Sequence, residues 1–208
     1  MIDSLSEEFY QARHADLTQR VTRKRLKHIE GVSETAGELA RLYGLDVAKA
    51  RLAGLLHDWD KAYDDEGIRA RAREVGLEVD PVVAFHMART LHGETASRAL
   101  ARDFPEIPAD VLQAVDRHVT AVVGMEPLDM VIYVADAIEP NRPFKDVEHI
   151  RAQVGKADLE DLFFMALAYW IERIIARACP MHPSTVATWN HYAIIQEEKH
   201  PKKRRQGC

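Results

Sequence analysis

Apolar side chains recur at intervals of three and four residues along nearly the whole chain, and this spacing constrains the fold more than any other feature of the sequence. The clearest example is a stripe that would share one face of an amphipathic helix, formed by Leu26, Ile29, Val32, Ala36, Leu39 and Ala40. Runs that alternate apolar and polar residues, as half-buried strands require, are nearly absent. The spacing therefore predicts an all-α protein.

Further helices are predicted wherever the same spacing returns. They cover residues 4–20, 46–57, 65–75, 94–103, 109–118, 127–138, 146–154, 159–178 and 184–197. Residues typical of helix starts precede or open four of these segments, namely Asp46, Pro108, Asp158 and Pro183. Residues that favour breaks lie between segments, namely Gly44, Gly76, Gly124 and Pro140.

The length of the chain limits the number of domains. Its 208 residues fall within the usual range for one domain. No internal repeat or long linker divides the sequence. We therefore expect a single-domain helical bundle over residues 1–198, followed by a basic, disordered tail over residues 199–208.

The charge of the body differs from that of the tail. The formal net charge is −5, but without residues 197–208 there are 23 basic and 31 acidic residues, which gives −8. An acidic body argues against a nucleic-acid-binding domain, although the tail alone could touch phosphates. No apolar stretch reaches the ~20 residues that span a bilayer, and the first residues lack the pattern of a signal peptide. We expect a cytoplasmic protein that does not bind a membrane.

Ionisable residues interrupt several apolar segments. His57 and Asp58 directly follow the apolar residues 52–56. Burial of an imidazole and a carboxylate costs several kcal/mol unless they are paired or bind a cation. This dipeptide alone predicts a metal-ligand pair no more strongly than it predicts a capping aspartate beside a surface histidine.

Four further residues lie in similar surroundings: His28, His92, His118 and Asp136. Each alone is more often a core or capping residue, but together with His57 and Asp58 they supply four imidazoles and two carboxylates from five helices or helix ends. This mixture favours iron, manganese or zinc over magnesium or calcium. A carboxylate such as Asp58 can bridge two ions, and such a pair generates hydroxide at neutral pH and holds phosphoryl oxygens during in-line displacement.

The strings of sequence around these residues carry a family resemblance that spans about residues 20 to 192. They are RLKH at 25–28, LLHDWDK at 55–61, LHG at 91–93, RH at 117–118, YVADAIEPNR at 133–142 and HPST at 182–185. As an ordered set they resemble the HD-domain phosphohydrolases, and specifically the YqeK-type symmetrical bis(5'-nucleosyl)-tetraphosphatase family.

The resemblance implies a single helical bundle of the HD-domain type and a dinuclear metal centre. By residue match, His28, His57, Asp58 and Asp136 would hold one ion, and Asp58, His92 and His118 the other. The metal would be iron, with manganese or zinc as alternatives. The implied reaction cuts diadenosine tetraphosphate between its two middle phosphates and releases two molecules of ADP.

The resemblance also implies residues that bind the substrate. Lys61 and Arg142 would contact phosphate oxygens, and Asp58 would act with them in catalysis. The alternatives are a solvated lysine at a helix end and a loop arginine paired with Glu139. Met181 and His182 would pack against a base while Ser184 or Thr185 offers a hydroxyl, although this segment also fits a helix start capped by Ser184.

One segment departs from the family pattern. Related sequences follow the histidine equivalent to His118 with Thr-Thr-Gly-Arg, whereas this chain has Val119, Thr120, Ala121 and Val122. Thr120 matches the family pattern and would bind substrate, but Val122 stands in the place of the family's arginine, so one cationic side chain is absent. Two other functions stay open: a different HD-type phosphohydrolase acting on nucleoside phosphates or a cyclic dinucleotide, and a catalytically silent nucleotide-binding module. The sequence also leaves a homodimer open.

Overall fold

The computed structural model describes residues 3–142 and 145–201, and within these ranges the chain is helical and contains no β-strand. The all-α prediction is confirmed. The helices are α1 (Glu7–Arg20), α2 (Arg23–Leu42), α3 (Val47–Leu56), α4 (Asp65–Glu74), α5 (Pro81–His86), α6 (His92–Asp103), α7 (Ala109–Arg117), α8 (Pro127–Ile138), α9 (Glu148–Arg151), α10 (Leu159–Ala176) and α11 (Pro183–Lys199).

Most helix boundaries lie close to the predicted ones because local signals fix them. The side chain of Asp46 accepts hydrogen bonds from two N–H groups of α3, and Asp158 caps α10 through the N–H of Asp161. Beyond α2 and α4, the chain turns at Gly44 and Gly76, whose φ angles of 73° and 65° are left-handed. Both predicted breaks are confirmed.

Two regions differ from the prediction. The sequence predicts no helix between Gly76 and residue 94, but α5 and a 3₁₀ turn at Ala88–Leu91 occupy much of this interval. A six-residue helix is too short to show a clear apolar period. The helix predicted over 146–154 is wrong in extent, because α9 has only four residues and follows a 3₁₀ turn at Lys145–Val147.

Helix α8 lies at the centre of the bundle. It packs against α2, α3, α7 and α10, and most of its residues are buried, including Val131, Ile132 and Val134. A helix that is apolar on nearly all sides must be surrounded by other helices. Consequently, the ends of α3 and α7 and the first third of α2 converge on the carboxyl-terminal half of α8.

The far carboxyl terminus is only partly described. Helix α11 continues through Lys199, whose ammonium contacts Asp158 and Glu160. This residue therefore belongs to the last helix, whereas positions 202–208 of the predicted basic tail lie outside the described residues. No helix in the described ranges has both the length and the hydropathy needed to cross a bilayer.

Helices α2 and α3 approach closely at Gly54. A Cβ atom added there would lie 2.8 Å from Ser33 Cα and 3.1 Å from Val32 O, both backbone atoms. Because backbone atoms cannot rotate away as a side chain does, the absence of a side chain at Gly54 sets the distance between these helices. The carbonyl of Gly54 also accepts a hydrogen bond from the His57 ring.

We predict that Gly54→Ala lowers the free energy of unfolding by about 1–3 kcal/mol, because the added methyl group forces α2 and α3 apart. Urea denaturation followed by circular dichroism measures this. Gly67→Ala is the matched control, since the three atoms nearest to its added Cβ belong to the side chains of Asp64 and Tyr63. The free energy of unfolding of this variant should change by less than about 1 kcal/mol. Equal stability of the two variants would contradict the prediction.

Candidate metal centre

Six ionisable side chains meet where the helices converge. His28 lies within α2 and Asp136 within α8, whereas His57 and His118 directly follow α3 and α7, and His92 begins α6. All four histidines and Asp58 are buried, and the Asp136 side chain is 17% exposed. The structure therefore brings together the full set of predicted metal ligands.

Each histidine ring is fixed through its Nδ1 atom. In His57, His92 and His118 this atom lies 2.7 Å from the backbone carbonyl oxygen three residues earlier. In His28 it lies 3.0 Å from Glu139 Oε1. An Nδ1–H that donates to an oxygen leaves the Nε2 lone pair free for a metal. All four rings thus present Nε2 to the same space.

Most of the close neighbours of the Nε2 atoms are carboxylate oxygens or other Nε2 atoms. His28 Nε2 and His57 Nε2 are buried and make no hydrogen bond, although Asp136 Oδ1 lies 3.0 Å and 3.9 Å from them. His92 Nε2 and His118 Nε2 lie 3.1 Å apart. Lone pairs that face one another at such distances are satisfied by a shared cation, so the donor set fits metal ions.

Asp58 lies between the two pairs of histidines. Its Oδ2 atom is 3.4 Å from His57 Nε2 and 3.8 Å from His28 Nε2. Its Oδ1 atom is 3.2 Å from His92 Nε2 and 4.0 Å from His118 Nε2. The two oxygens of one carboxylate therefore face two different groups of ligands, which is the arrangement that a bridging ligand requires.

The surroundings favour the protonation states that metal binding needs. Burial acts to raise the pKa of Asp58, but His57 and Lys61 hold that pKa well below its usual range. Burial and the nearby Lys61 lower the pKa of His92, and burial together with His92 and His57 lowers that of His118. His28 is the exception, because burial acts to lower its pKa but the neighbouring carboxylates of Asp136 and Glu139 raise that pKa overall.

A cleft of about 280 Å³ opens over the ligands. It is lined by Arg25, Asp58, Lys61, His92, His118, Val119, Asp136, Arg142 and Trp170. Three of these side chains are cationic. Lys61 Nζ lies 3.3 Å from His92 Nε2, so the lysine faces the cleft and is not the solvated residue of the alternative interpretation. The cleft therefore combines the candidate metal ligands with positive charge.

The arginines of the cleft contact the carboxylate ligands. Arg25 donates a hydrogen bond of 2.9 Å to Asp58 Oδ2, and Arg142 donates to both the backbone and the carboxylate of Asp136. Arg142 thus pairs with Asp136 and not with Glu139 as the alternative interpretation has it. No role was predicted for Arg25, although this residue lies three positions, nearly one helical turn, before His28.

Asp60 was also missed as a structural residue. It is 1% exposed and accepts hydrogen bonds from Arg20 and Arg71. These ion pairs hold the turn that carries Asp58 and Lys61.

Among the described residues that line the cleft, none comes from the segment 181–185, where substrate-binding residues were predicted. His182 caps α11 by accepting from the N–H of Ser184, so Ser184 is not the cap. Thr185 donates to Thr120 O at 2.7 Å and Ser184 donates to Ala121 O, while Met181 packs against the core. Substrate binding by Thr120, Met181, His182 and Thr185 stays a prediction.

The departure from the family pattern has a conformational consequence at Ala121. Its φ of 55° is left-handed, which suits the glycine of related sequences better than alanine. The next residue, Val122, packs against the hydrophobic core. Arg25, in contrast, brings a guanidinium to the cleft from α2.

Comparisons with known proteins agree with this geometry. The HD domain family matches residues 25–141, a range that contains all six candidate ligands. The symmetrical bis(5'-nucleosyl)-tetraphosphatase of Halalkalibacterium halodurans is 36% identical over 177 residues, which cover 85% of this chain and 93% of that protein. The protein of the same name from Bacillus subtilis is 31% identical over the same shares of both chains.

A solved structure shows the same fold. The crystal structure of an HD superfamily hydrolase from Clostridium acetobutylicum, described as involved in NAD metabolism, superposes with a TM-score of 0.82 at 33% identity. The superposition covers 89% of this chain and 97% of that one. The chain therefore belongs to the HD-domain family, in the branch that contains the two symmetrical bis(5'-nucleosyl)-tetraphosphatases.

Proposed function

We propose that this protein hydrolyses dinucleoside tetraphosphates symmetrically, and that diadenosine tetraphosphate gives two molecules of ADP. The observation that carries the proposal is a cleft lined by three cationic side chains together with Asp58, His92, His118 and Asp136, four of the six candidate metal ligands that meet at this point. The names of the two bacterial relatives support the substrate class.

The proposal includes two transition-metal ions, with iron as the first choice and manganese or zinc as alternatives. His28, His57, Asp58 and Asp136 would hold one ion, and Asp58, His92 and His118 the other. Bound ions of this kind act as Lewis acids and supply hydroxide as the nucleophile at neutral pH. A shared Asp58 accounts for the way its two oxygens face separate groups of histidines.

The cationic residues of the chain would bind and orient the polyphosphate. Lys61 and Arg142 would hold phosphates on either side of the bond that breaks, and Arg25 would supply a further charge where the family arginine is replaced by Val122. Guanidinium groups suit this task because they grip phosphate oxygens with two parallel hydrogen bonds. Held in this register, a middle phosphate lies over Asp58, and the group that leaves is a nucleoside diphosphate.

The first prediction from the proposed function concerns metal content. Protein produced in iron-replete medium should contain close to two transition-metal ions per chain, because two groups of nitrogen and oxygen ligands share Asp58. Elemental analysis of the purified protein measures this. Recovery of no iron, manganese or zinc, or of a single tightly bound ion after reconstitution, would contradict the dinuclear assignment.

The second prediction concerns Asp58. In Asp58→Ala both ions should bind more weakly, and hydrolysis should fall by more than about 100-fold. Loss of a residue that only hydrogen-bonds to a metal ligand costs up to about 100-fold, and loss of a shared ligand should cost more. Metal content and turnover are measured on the same sample. A variant that retains two ions and appreciable activity would disprove the bridging role.

Lys61→Ala and Arg142→Ala provide the comparison for Asp58→Ala. Each should keep two ions and lower kcat/KM by about 10- to 150-fold, the equivalent of one charged hydrogen bond of roughly 1.5 to 3 kcal/mol. Loss of metal from either variant would show that the residue supports the metal ligands, and would contradict its assignment to substrate binding.

The third prediction concerns the bond that breaks. Metal-loaded protein given diadenosine tetraphosphate should produce ADP alone, because Lys61 and Arg142 place a middle phosphate over the ligands. Chromatography after partial turnover identifies the products. AMP and ATP as the first products would show that the register is shifted by one phosphate. No turnover would favour a different phosphate ester as the substrate.

A further inference from the structure

The four histidines of the candidate metal centre differ in what holds them. His57, His92 and His118 lie at helix ends, where the carbonyl three residues earlier is free to accept from Nδ1–H. His28 lies in the interior of α2, where the backbone carbonyls serve the helix itself. Its Nδ1 instead contacts the carboxylate of Glu139, which is 111 residues away in the sequence.

Several contacts fix Glu139 in this position. The residue is 1% exposed, and its second oxygen accepts a 2.6 Å hydrogen bond from the N–H of Asn141. The Asn141 side chain donates in turn to Lys27 O. Gly31 leaves room for the carboxylate, since a Cβ there would lie 2.4 Å from Glu139 Oε2. The turn that follows α8 is thus docked on α2 around His28.

A carboxylate behind a histidine ligand acts differently from a backbone carbonyl. It carries a full negative charge, so it strengthens the electron donation of the ring toward a cation and adds attraction to the cation itself. Only one side of the centre has this support among the described residues, because His92 and His118 on the other side rely on carbonyls.

We propose that Glu139 is a positioning residue that makes the two metal positions unequal, so that the ion held by His28 binds more tightly than the ion held by His92 and His118. This inference rests on the dinuclear centre of the proposed function. It adds that a residue outside the ligand set determines which ion is retained when metal is scarce.

The test measures metal affinity without substrate. The full chain and its Glu139→Gln variant are titrated with Mn²⁺ against a competing chelator, and free Mn²⁺ is measured by EPR. Gln retains the shape of Glu139 but lacks its charge and has one acceptor for two donors. We expect the tighter of the two ions to bind about 10- to 100-fold more weakly and the other to bind as before.

Two further variants control for general damage. Glu172→Gln makes the same chemical change at an exposed site and should leave both affinities unchanged. Gly31→Ala keeps the charge but displaces the carboxylate from His28, so it should reproduce the selective loss. Circular dichroism establishes that each variant is folded, and equal weakening of both ions, or no weakening, would overturn the proposal.

A double-mutant comparison identifies the affected position. In a His92→Ala background, Glu139→Gln should weaken the remaining ion, whereas in a His28→Ala background it should have no further effect. Equal effects in both backgrounds would overturn the proposal. None of these measurements uses the nucleotide, so a wild-type protein that binds two ions but does not cleave diadenosine tetraphosphate would disprove the proposed substrate and leave the inference on Glu139 intact.

Discussion

The central constraint on this fold is the burial of an ionised carboxylate among imidazoles. Asp58 is 2% exposed, and burial of a charge is costly unless opposite charge surrounds it. Arg25 and Lys61 provide part of that charge from the open side. The buried Nε2 atoms of His28 and His57 have no hydrogen-bond partner, so this environment is one that a cation would complete. The convergence of helices from distant parts of the sequence on this point follows from that requirement.

Helix ends solve the problem of holding imidazoles in an apolar interior. A ring that directly follows a helix can donate to a carbonyl that the helix leaves unpaired, as His57 and His118 do. The same bond satisfies a backbone group and determines which nitrogen faces the centre. The approach of the helices that carry two of these rings depends on Gly93, because a Cβ there would lie 2.7 Å from Asp116 O. Its absence lets α6 and α7 bring His92 and His118 together.

The sequence allowed much of this architecture to be predicted, for identifiable reasons. Long amphipathic helices such as α2 and α8 show their period over many residues, whereas α5 is too short to show one. The six candidate ligands could be predicted because they interrupt apolar segments and because their order resembles that of the HD-domain family. The contact between Arg25 and Asp58 and that between Glu139 and His28 join residues 33 and 111 positions apart. No local pattern encodes such pairings, which depend on how the helices pack.

The last helix is attached to the loop that follows His118. Thr185 and Ser184 donate to the carbonyls of Thr120 and Ala121, and the hydroxyl of Tyr192 accepts from the N–H of Met125. The family match ends at residue 141, yet these bonds come from residues beyond it. A fragment that stops at that boundary would contain every candidate ligand and still lack the side chains that hold the backbone after His118. We therefore expect the smallest fragment that folds on its own to extend beyond the matched range and to include α11.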